Sequence, residues 1–122
     1  AGAENSDSPD FFEIAKQGLE GIHLGLDLKM VECWFLFNFK KAIGEEVNLY
    51  RDTKGEKLVA EKRYEWDNLE AALSEKENGV IAVDEIKLMR LILVNKLAMI
   101  NKIKGVQEKI PELLKIAYAI SY

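Results

Sequence analysis

Apolar residues near the start of the chain recur at the spacing of an α-helix. The segment "DFFEIAKQGLEG" carries three apolar residues on one side: Phe12, Ala15 and Leu19. Ser8 and Asp10 are both candidates for the N-cap, because a short polar side chain can accept a hydrogen bond from the backbone N–H groups of the first turn. The pattern predicts an N-terminal helix.

The next segment changes to strict alternation. Two runs place apolar residues at every second position: Ile22, Leu24, Leu26, Leu28 and Met30, then Val31, Cys33, Phe35, Phe37 and Phe39. Apolar residues at every second position, many of them aromatic or β-branched, predict a strand. The alternation shifts by one residue near residue 30, which predicts a bulge there. A helix over 28–43 is the alternative, because part of the same set also fits a helical stripe.

The middle of the chain predicts a β-hairpin. The turn would be formed by Asp52-Thr53-Lys54-Gly55, since glycine suits the left-handed position that ends such a turn. Flanking strands would run about 46–52 and 56–65. A helix over 56–77 is the alternative, because Ala and Glu are frequent there.

Three helices are predicted after the hairpin. "DNLEAALSEKEN" makes a short helix capped by Asp67 and ended by Asn78-Gly79. A long helix follows over about 84–104, and Gly105 ends it. Pro111 then opens the last helix, because proline is well tolerated in a first helical turn.

The long helix 84–104 is predicted to bury two of its sides. Its N-cap is Asp84, and its main apolar stripe consists of Ile86, Met89, Leu93, Leu97 and Ile100. Four further apolar residues lie outside that stripe: Leu88, Leu91, Ile92 and Met99. We expect these four to form an interface with another protein or with a second copy of the chain.

These elements together predict an α+β fold. It would have an N-terminal helix, a three-stranded antiparallel meander and three C-terminal helices, with an all-α helical bundle as the alternative. The small, polar and acidic residues 1–8 predict a disordered tail, which leaves 9–122 as a single domain.

Composition and charge limit the classes of function. The chain has 122 residues, of which 48% are apolar and 31% charged, an ordinary balance for a folded domain. Residues 1–85 carry 10 basic and 19 acidic residues, whereas residues 86–122 carry 7 and 2. A chain of this polarity can attract a copy of itself or bind charged partners, unless the two segments neutralise each other.

Two features bear on location in the cell. The longest apolar run, "CWFLF" at 33–37, is far shorter than the roughly 20 residues of a membrane-spanning helix. Cys33 is the only cysteine, so no intramolecular disulfide can form. We expect Cys33 to be a buried structural residue, and the protein to be intracellular, cytoplasmic and without membrane association.

The sequence predicts no catalytic residue, metal site or cofactor. Glu20-x-x-His23 has the spacing of half a di-metal site, but such a site needs further ligands and His23 is the single histidine. No nucleophile motif or phosphate-binding loop is present. A small metal-dependent enzyme using Glu20 and His23 is the third function hypothesis, and no small-molecule substrate is indicated.

One stretch resembles the spacing of a calcium loop. Counted from Ser74, Asn78 is fifth, Gly79 sixth and Glu85 twelfth. Lys76 is third, where a calcium loop needs an oxygen ligand. Its positive charge would instead repel the calcium ion. The stretch is better explained as a turn that leads into a helix, with Glu85 interacting favourably with the helix N-terminus.

The predicted hairpin combines aromatic and basic residues. Seven of them are candidate nucleic-acid contacts: Tyr50, Arg51, Lys54, Lys57, Lys62, Arg63 and Trp66. Rings can stack on bases while cations contact phosphates, although the nearby acidic residues Asp52, Glu56, Glu61 and Glu65 oppose phosphate binding. A nucleic-acid-associated subunit using residues 46–66 and the basic C-terminal helices is accordingly the second function hypothesis.

The first hypothesis is a non-enzymatic protein-interaction module. The long helix carries more apolar surface than a domain of this size readily covers, and catalytic motifs are missing. We therefore expect a small subunit of a homo-oligomer or of a larger assembly, whose partner is itself or another protein.

Overall fold

The computed structural model describes residues 10–122, so the predicted tail 1–8 lies outside the described residues. Residues 10–122 form five helices and a two-stranded antiparallel sheet, an α+β fold in which helices dominate. The elements in chain order are α1 (Phe11–His23), α2 (Leu28–Ala42), β1 (Tyr64–Asp67), β2 (Ala72–Glu75), α3 (Val83–Val94), α4 (Leu97–Ile100) and α5 (Val106–Ser121). The predicted three-stranded meander is not confirmed.

Helices α1 and α2 form an antiparallel pair joined by a short loop. Asp10 caps α1 by accepting a hydrogen bond from the N–H of Glu13 at 2.7 Å, which confirms one of the two predicted caps. Asp27 caps α2 in the same way, through the N–H of Lys29. Short polar side chains thus begin both helices, because they satisfy N–H groups that have no partner within the helix.

The strands predicted over 22–39 are wrong, and the helical alternative over 28–43 is confirmed. Helix α2 is the centre of the fold and packs against α1, α3 and α5. It is buried on several sides, through Met30, Val31, Cys33, Trp34, Leu36, Phe37 and Asn38. A helix buried nearly all round loses the apolar stripe that reveals a helix, so alternate positions can imitate a strand.

The sheet pairs segments other than those predicted. Strand β1 pairs with β2 in the register Tyr64 to Glu75 and Trp66 to Leu73. The turn at 52–55 is confirmed: Gly55 has a positive φ of 79°, and Arg51 and Lys57 pair across it. The flanking residues make isolated bridges rather than regular strands.

The helix predicted to start at Asp67 is wrong, since Ala72–Glu75 is strand β2. The side chain of Asp67 accepts hydrogen bonds from the N–H groups of Leu69 and Glu70, both at 3.0 Å. Ala71 then adopts a positive φ of 54°, which turns the chain back. An aspartate makes the same local hydrogen bonds in a turn and at a helix start, so the sequence signal is ambiguous.

The single long helix predicted over 84–104 is also wrong. Helix α3 ends at Val94, the backbone of Asn95 is extended, and α4 is one short turn. Helix α5 begins after Gly105, so Pro111 lies inside it and not in its first turn. Because a proline has no N–H, the carbonyl of Gln107, one turn earlier and on an exposed residue, receives no hydrogen bond from position 111.

The core lies between the helices and the inner side of the sheet. Its largest fully buried side chains include Trp34, Tyr64 and Phe37. Tyr64 also holds the segment after β2, because its backbone N–H and carbonyl pair with Ile81. Within residues 10–122, no helix is both long and apolar enough to cross a lipid bilayer.

Candidate interaction surface

The outer side of the α1–α2 pair remains apolar and exposed. We call it the α1–α2 face, and it is formed by Phe11, Phe12, Ala15, Leu19, Ile22, Leu28, Phe35 and Phe39, with the buried Gly18 at its floor. Phe12 belongs to it because it lies two helical turns before Leu19 on the same side of α1. Its most accessible side chains are Phe12, Leu19 and Leu28, which are 75%, 67% and 63% exposed. Within the described part of the chain, no other element covers this surface.

A groove of about 460 Å³ runs along the α1–α2 face. Ala15, Gly18, Leu19 and Ile22 line it from α1, at successive positions of one helical stripe. From α2 it is lined by Leu28, Val31, Glu32 and Phe35. Glu32 is the single charged residue among these, so the groove is apolar along almost its whole length.

Phe11 and Phe39 extend the face beyond the groove, where they form an aromatic cluster with the groove residue Phe35. The ring of Phe11 lies edge-on to Phe39 at a centroid distance of 5.4 Å and to Phe35 at 6.5 Å. Phe35 and Phe39, one helical turn apart on α2, stack at 6.0 Å. Rings in these arrangements attract each other beyond the effect of burial. The aromatic cluster therefore gives one end of the face a defined shape.

Gly18 has no packing role that requires glycine. A Cβ atom built on it would meet only Phe35 at 3.8 Å and Val31 at 3.9 Å, which are ordinary contacts. In a helix interior, glycine costs about 1 kcal/mol relative to alanine. Gly21, one turn later, differs because its Cβ would approach Leu97 to 2.7 Å. The fold of one chain explains Gly21, whereas Gly18 mainly deepens the groove.

A polar and aromatic edge borders the face on the side of α5. The hydroxyl of Tyr118 donates a hydrogen bond to the carboxylate of Glu32 at 2.5 Å, and this bond raises the pKa of Tyr118. The ring of Tyr122 lies beside that of Tyr118 and is largely exposed. Tyrosines at the edge of an apolar patch are common in protein interfaces, since they contribute both contact area and a polar group.

The four predicted interface residues do not form one exposed surface. Ile92 is part of the core, with 1% of its surface exposed, and Leu88 is partly buried against it. Leu91 and Met99 are exposed, but they lie on different helices, α3 and α4, because the helix is interrupted at Asn95. The apolar surplus of residues 84–104 is thus partly absorbed by the core.

The candidate nucleic-acid residues are largely engaged within the protein. Lys62 forms an ion pair with Glu75 at 3.1 Å, a hydrogen bond that raises the pKa of Lys62. The side chains of Arg51 and Arg63 donate to the carbonyls of Gly55 and Gly79, both at 2.9 Å. These contacts hold three of the predicted cations against the protein.

The other predicted nucleic-acid residues are spread over the hairpin. Lys54 and Lys57 are exposed near the turn. Tyr50 is exposed, with the guanidinium of Arg90 4.5 Å from its ring centroid. Trp66 is half-buried against the core, and its indole N–H donates to Asn68. One face of Tyr50 is therefore already occupied by a cation.

The calcium-like stretch has a structural role. The carboxylate of Glu85 accepts a hydrogen bond from the N–H of Ala82 at 2.9 Å and another from Lys109 at 3.0 Å. Burial acts to raise the pKa of Glu85, but these two bonds outweigh it and hold the pKa below its ordinary value. The predicted interaction of Glu85 with the start of the helix is thus confirmed.

Reactive and metal-binding groups are few in the described region. Cys33 is fully buried as predicted, and burial raises the pKa of its thiol to about 12. Glu20 and His23 lie near the exposed end of α1. No cluster of three or more His, Cys, Asp or Glu side chains able to hold a metal occurs among residues 10–122.

A second cavity, of about 550 Å³, lies between α1, α2 and the break after α3. Its polar groups bind each other: Asn38 donates to the carbonyl of Ile92, Trp34 to that of Asn95, and Lys41 to that of Leu93. Gln17 accepts from the N–H of Leu97. These side chains satisfy the backbone where α3 ends, so the cavity is explained by the fold.

The sequence pattern places Phe12, Ala15 and Leu19 on one side of the first helix but does not tell whether that side is buried or exposed, so the α1–α2 face was not predicted. The buried residues of α1 are Ile14, Gly18 and Gly21. A usable signal was present, since the apolar residues of α1 cover more of its circumference than one buried stripe requires.

No protein-family model, curated protein or solved structure matches the chain.

Proposed function

We propose that the protein is a non-enzymatic interaction module that binds another protein chain through the α1–α2 face. The observation that carries the proposal is the set of large apolar side chains left exposed around one groove. Five of them are more than half exposed: Phe11, Phe12, Leu19, Ile22 and Leu28. A contiguous apolar patch of several hundred Å² is typical of a binding site.

The free energy left unused by this exposure is large. The five side chains together expose on the order of 500 Å², which at about 25 cal/mol per Å² corresponds to roughly 12 kcal/mol of gross burial energy. Association entropy and side-chain ordering oppose this term. The gross burial energy of the α1–α2 face supports a partner that covers it. This energy is larger than the burial of a single exposed residue such as Leu69 would contribute.

The shape of the face favours a helical partner. Two antiparallel helices leave a groove parallel to their axes, and α1 has 13 residues, a length of about 20 Å. An amphipathic helix can place apolar residues at positions i, i+3, i+4 and i+7 into such a groove. The proposal therefore places the interface on helices α1 and α2, in place of the one predicted on residues 84–104.

Site-specific photo-cross-linking tests the proposal. A photoreactive amino acid replaces Leu19 in the groove, and in a matched protein it replaces Leu69, which is 97% exposed in the turn between β1 and β2. Both proteins are expressed in the cells that normally make the chain and are irradiated there. We expect a discrete protein adduct from position 19, identified by mass spectrometry, and none of comparable yield from position 69.

The opposite result is also clear. Equal and diffuse labelling from both positions would mean that the α1–α2 face has no protein partner, and the proposal would be wrong. The adduct is expected whether the captured chain is the protein itself or a different one. The identity of the captured chain is therefore a separate question.

A further inference from the structure

We infer that the partner of the α1–α2 face is a second copy of this chain, in a two-fold symmetric dimer built from two α1–α2 pairs. This inference rests on the proposed function and names the partner. In the dimer, the α1 helix of each protomer lies against the α1–α2 groove of the other. The four helices then form a small bundle with the α1–α2 faces at its centre.

The exposed area matches what a symmetric pair needs. The side chains of Phe11, Phe12, Leu19, Ile22 and Leu28 expose on the order of 500 Å² per copy, or about 1,000 Å² for two copies. Stable interfaces bury about 1,200–2,000 Å² in total. The groove floor, the partly exposed rings of Phe35 and Phe39 and the tyrosine edge supply the remainder, so two copies can form an interface of standard size without any other surface.

The α1 side of the groove combines large and small residues. Leu19 and Ile22 are more than half exposed where they line it, and Ala15 and Gly18 beside them are small. A two-fold axis places Leu19 and Ile22 of one protomer into the groove of its partner and repeats the contact in the other direction. The dimer would explain why position 18 is a glycine, because the absence of a side chain there lets the helix of the partner approach closely.

The charges on the face allow two copies to meet. Among the groove-lining residues, Glu32 alone carries a charge, and its carboxylate already accepts a hydrogen bond from Tyr118. Like charges that meet at an interface oppose association, and each copy brings only this one carboxylate, already hydrogen-bonded, to the groove. A strongly acidic or basic partner would find little on this surface to recognise, whereas an identical apolar face is well matched.

Sedimentation equilibrium of the full chain tests the inference. Wild-type protein is compared with the double variant Leu19→Glu/Leu28→Glu and with the control Leu69→Glu, from about 1 to about 300 µM. We expect wild type and control to approach twice the chain mass of 13.9 kDa. The double variant should stay monomeric, with a dissociation constant raised at least about tenfold and an unchanged circular dichroism spectrum.

A second variant tests the groove without adding charge. Gly18→Leu fills the groove while leaving the intrachain neighbours in ordinary contact range of the added Cβ. We expect a folded protein whose dimer is at least about tenfold weaker than that of wild type. A dimer of unchanged strength in Gly18→Leu would place the interface elsewhere and overturn the inference.

Two other outcomes would also overturn it. Wild-type protein that stays monomeric at the highest concentration does not form the dimer, and association that continues beyond the dimer is not a closed two-fold pair. If the wild type is monomeric but position 19 cross-links to a different protein, the proposed function stands and only the identity of the partner is wrong. If neither association nor a cross-link is observed, both are wrong.

Discussion

Gly79 lies where two backbone segments nearly touch. A Cβ atom at this position would come within 2.3 Å of the carbonyl oxygen and 2.8 Å of the nitrogen of Tyr64. Those backbone atoms form the bridge to Ile81, so they cannot move away without breaking it. The glycine of the calcium-like stretch is therefore required for close packing of the chain, and the match to an ion-binding loop is coincidental.

Gly79→Ala should strongly destabilise the protein, because the added methyl group overlaps backbone atoms. We expect a loss of about 2–4 kcal/mol in the free energy of unfolding, measured by urea denaturation at low protein concentration. Gly18→Ala is the matched control, and it should be stabilising by about 0.5–1 kcal/mol. Equal stabilities for Gly79→Ala and wild type would show that the close approach is absent.

At the scale of elements, helices α3 and α5 are joined by the ion pair between Glu85 and Lys109. Hydrogen bonds from Ala82 and Lys109 lower the pKa of Glu85, and the same pair raises the pKa of Lys109. A carboxylate whose pKa is lowered by folding stabilises the protein above its ordinary pKa of 4.5 and loses that contribution as the pH falls through its folded value. The ion pair between α3 and α5 therefore contributes less to stability at acidic pH.

Glu85→Gln should destabilise the protein at neutral pH and have little effect in acid. Glutamine keeps an acceptor for the Ala82 N–H but cannot pair with the Lys109 ammonium, so we expect a loss of about 1 kcal/mol at pH 7. The difference from wild type should shrink as the pH falls below the ordinary pKa of 4.5 and through the lower pKa of the folded protein. Urea titrations of both proteins across this range provide the measurement, and a difference independent of pH would contradict the assignment.

Elements with local signals were predictable, and those decided by tertiary contacts were not. The Asp10 cap and the turn at 52–55 follow from hydrogen bonds within a few residues. Helix α2 was mistaken for strand because its burial on several sides erases the helical stripe. The end of α3 depends on Asn38 and Lys41, which bond its last carbonyls from a distant part of the sequence.

The surface of the whole molecule was the least predictable feature. The sequence indicated a surplus of apolar residues and, from it, an interaction module, but it assigned the surplus to 84–104. Whether a residue is buried or exposed depends on which helix covers it. That is decided by tertiary packing, in which α2 is the central helix. Ile92 is then buried, while Leu19 and Leu28 remain outside.

A dimer formed through the α1–α2 face makes thermal stability depend on concentration. Dissociation accompanies unfolding, so mass action favours the folded dimer as the concentration rises. We expect the Tm of wild type to rise by about 2–4 °C for each tenfold increase in concentration. The Tm of Leu19→Glu/Leu28→Glu should stay constant, and a constant Tm for wild type as well would contradict the dimer.

The two tryptophans lie in different environments, which gives the molecule a pair of natural fluorescent reporters. Trp34 is enclosed by the helical core, with its indole N–H bonded to the carbonyl of Asn95. Trp66 sits on β1, partly in contact with water. Emission from the first reports on the helices, and emission from the second reports on the sheet. Single-tryptophan versions of the protein can therefore reveal whether these two regions unfold together or in sequence.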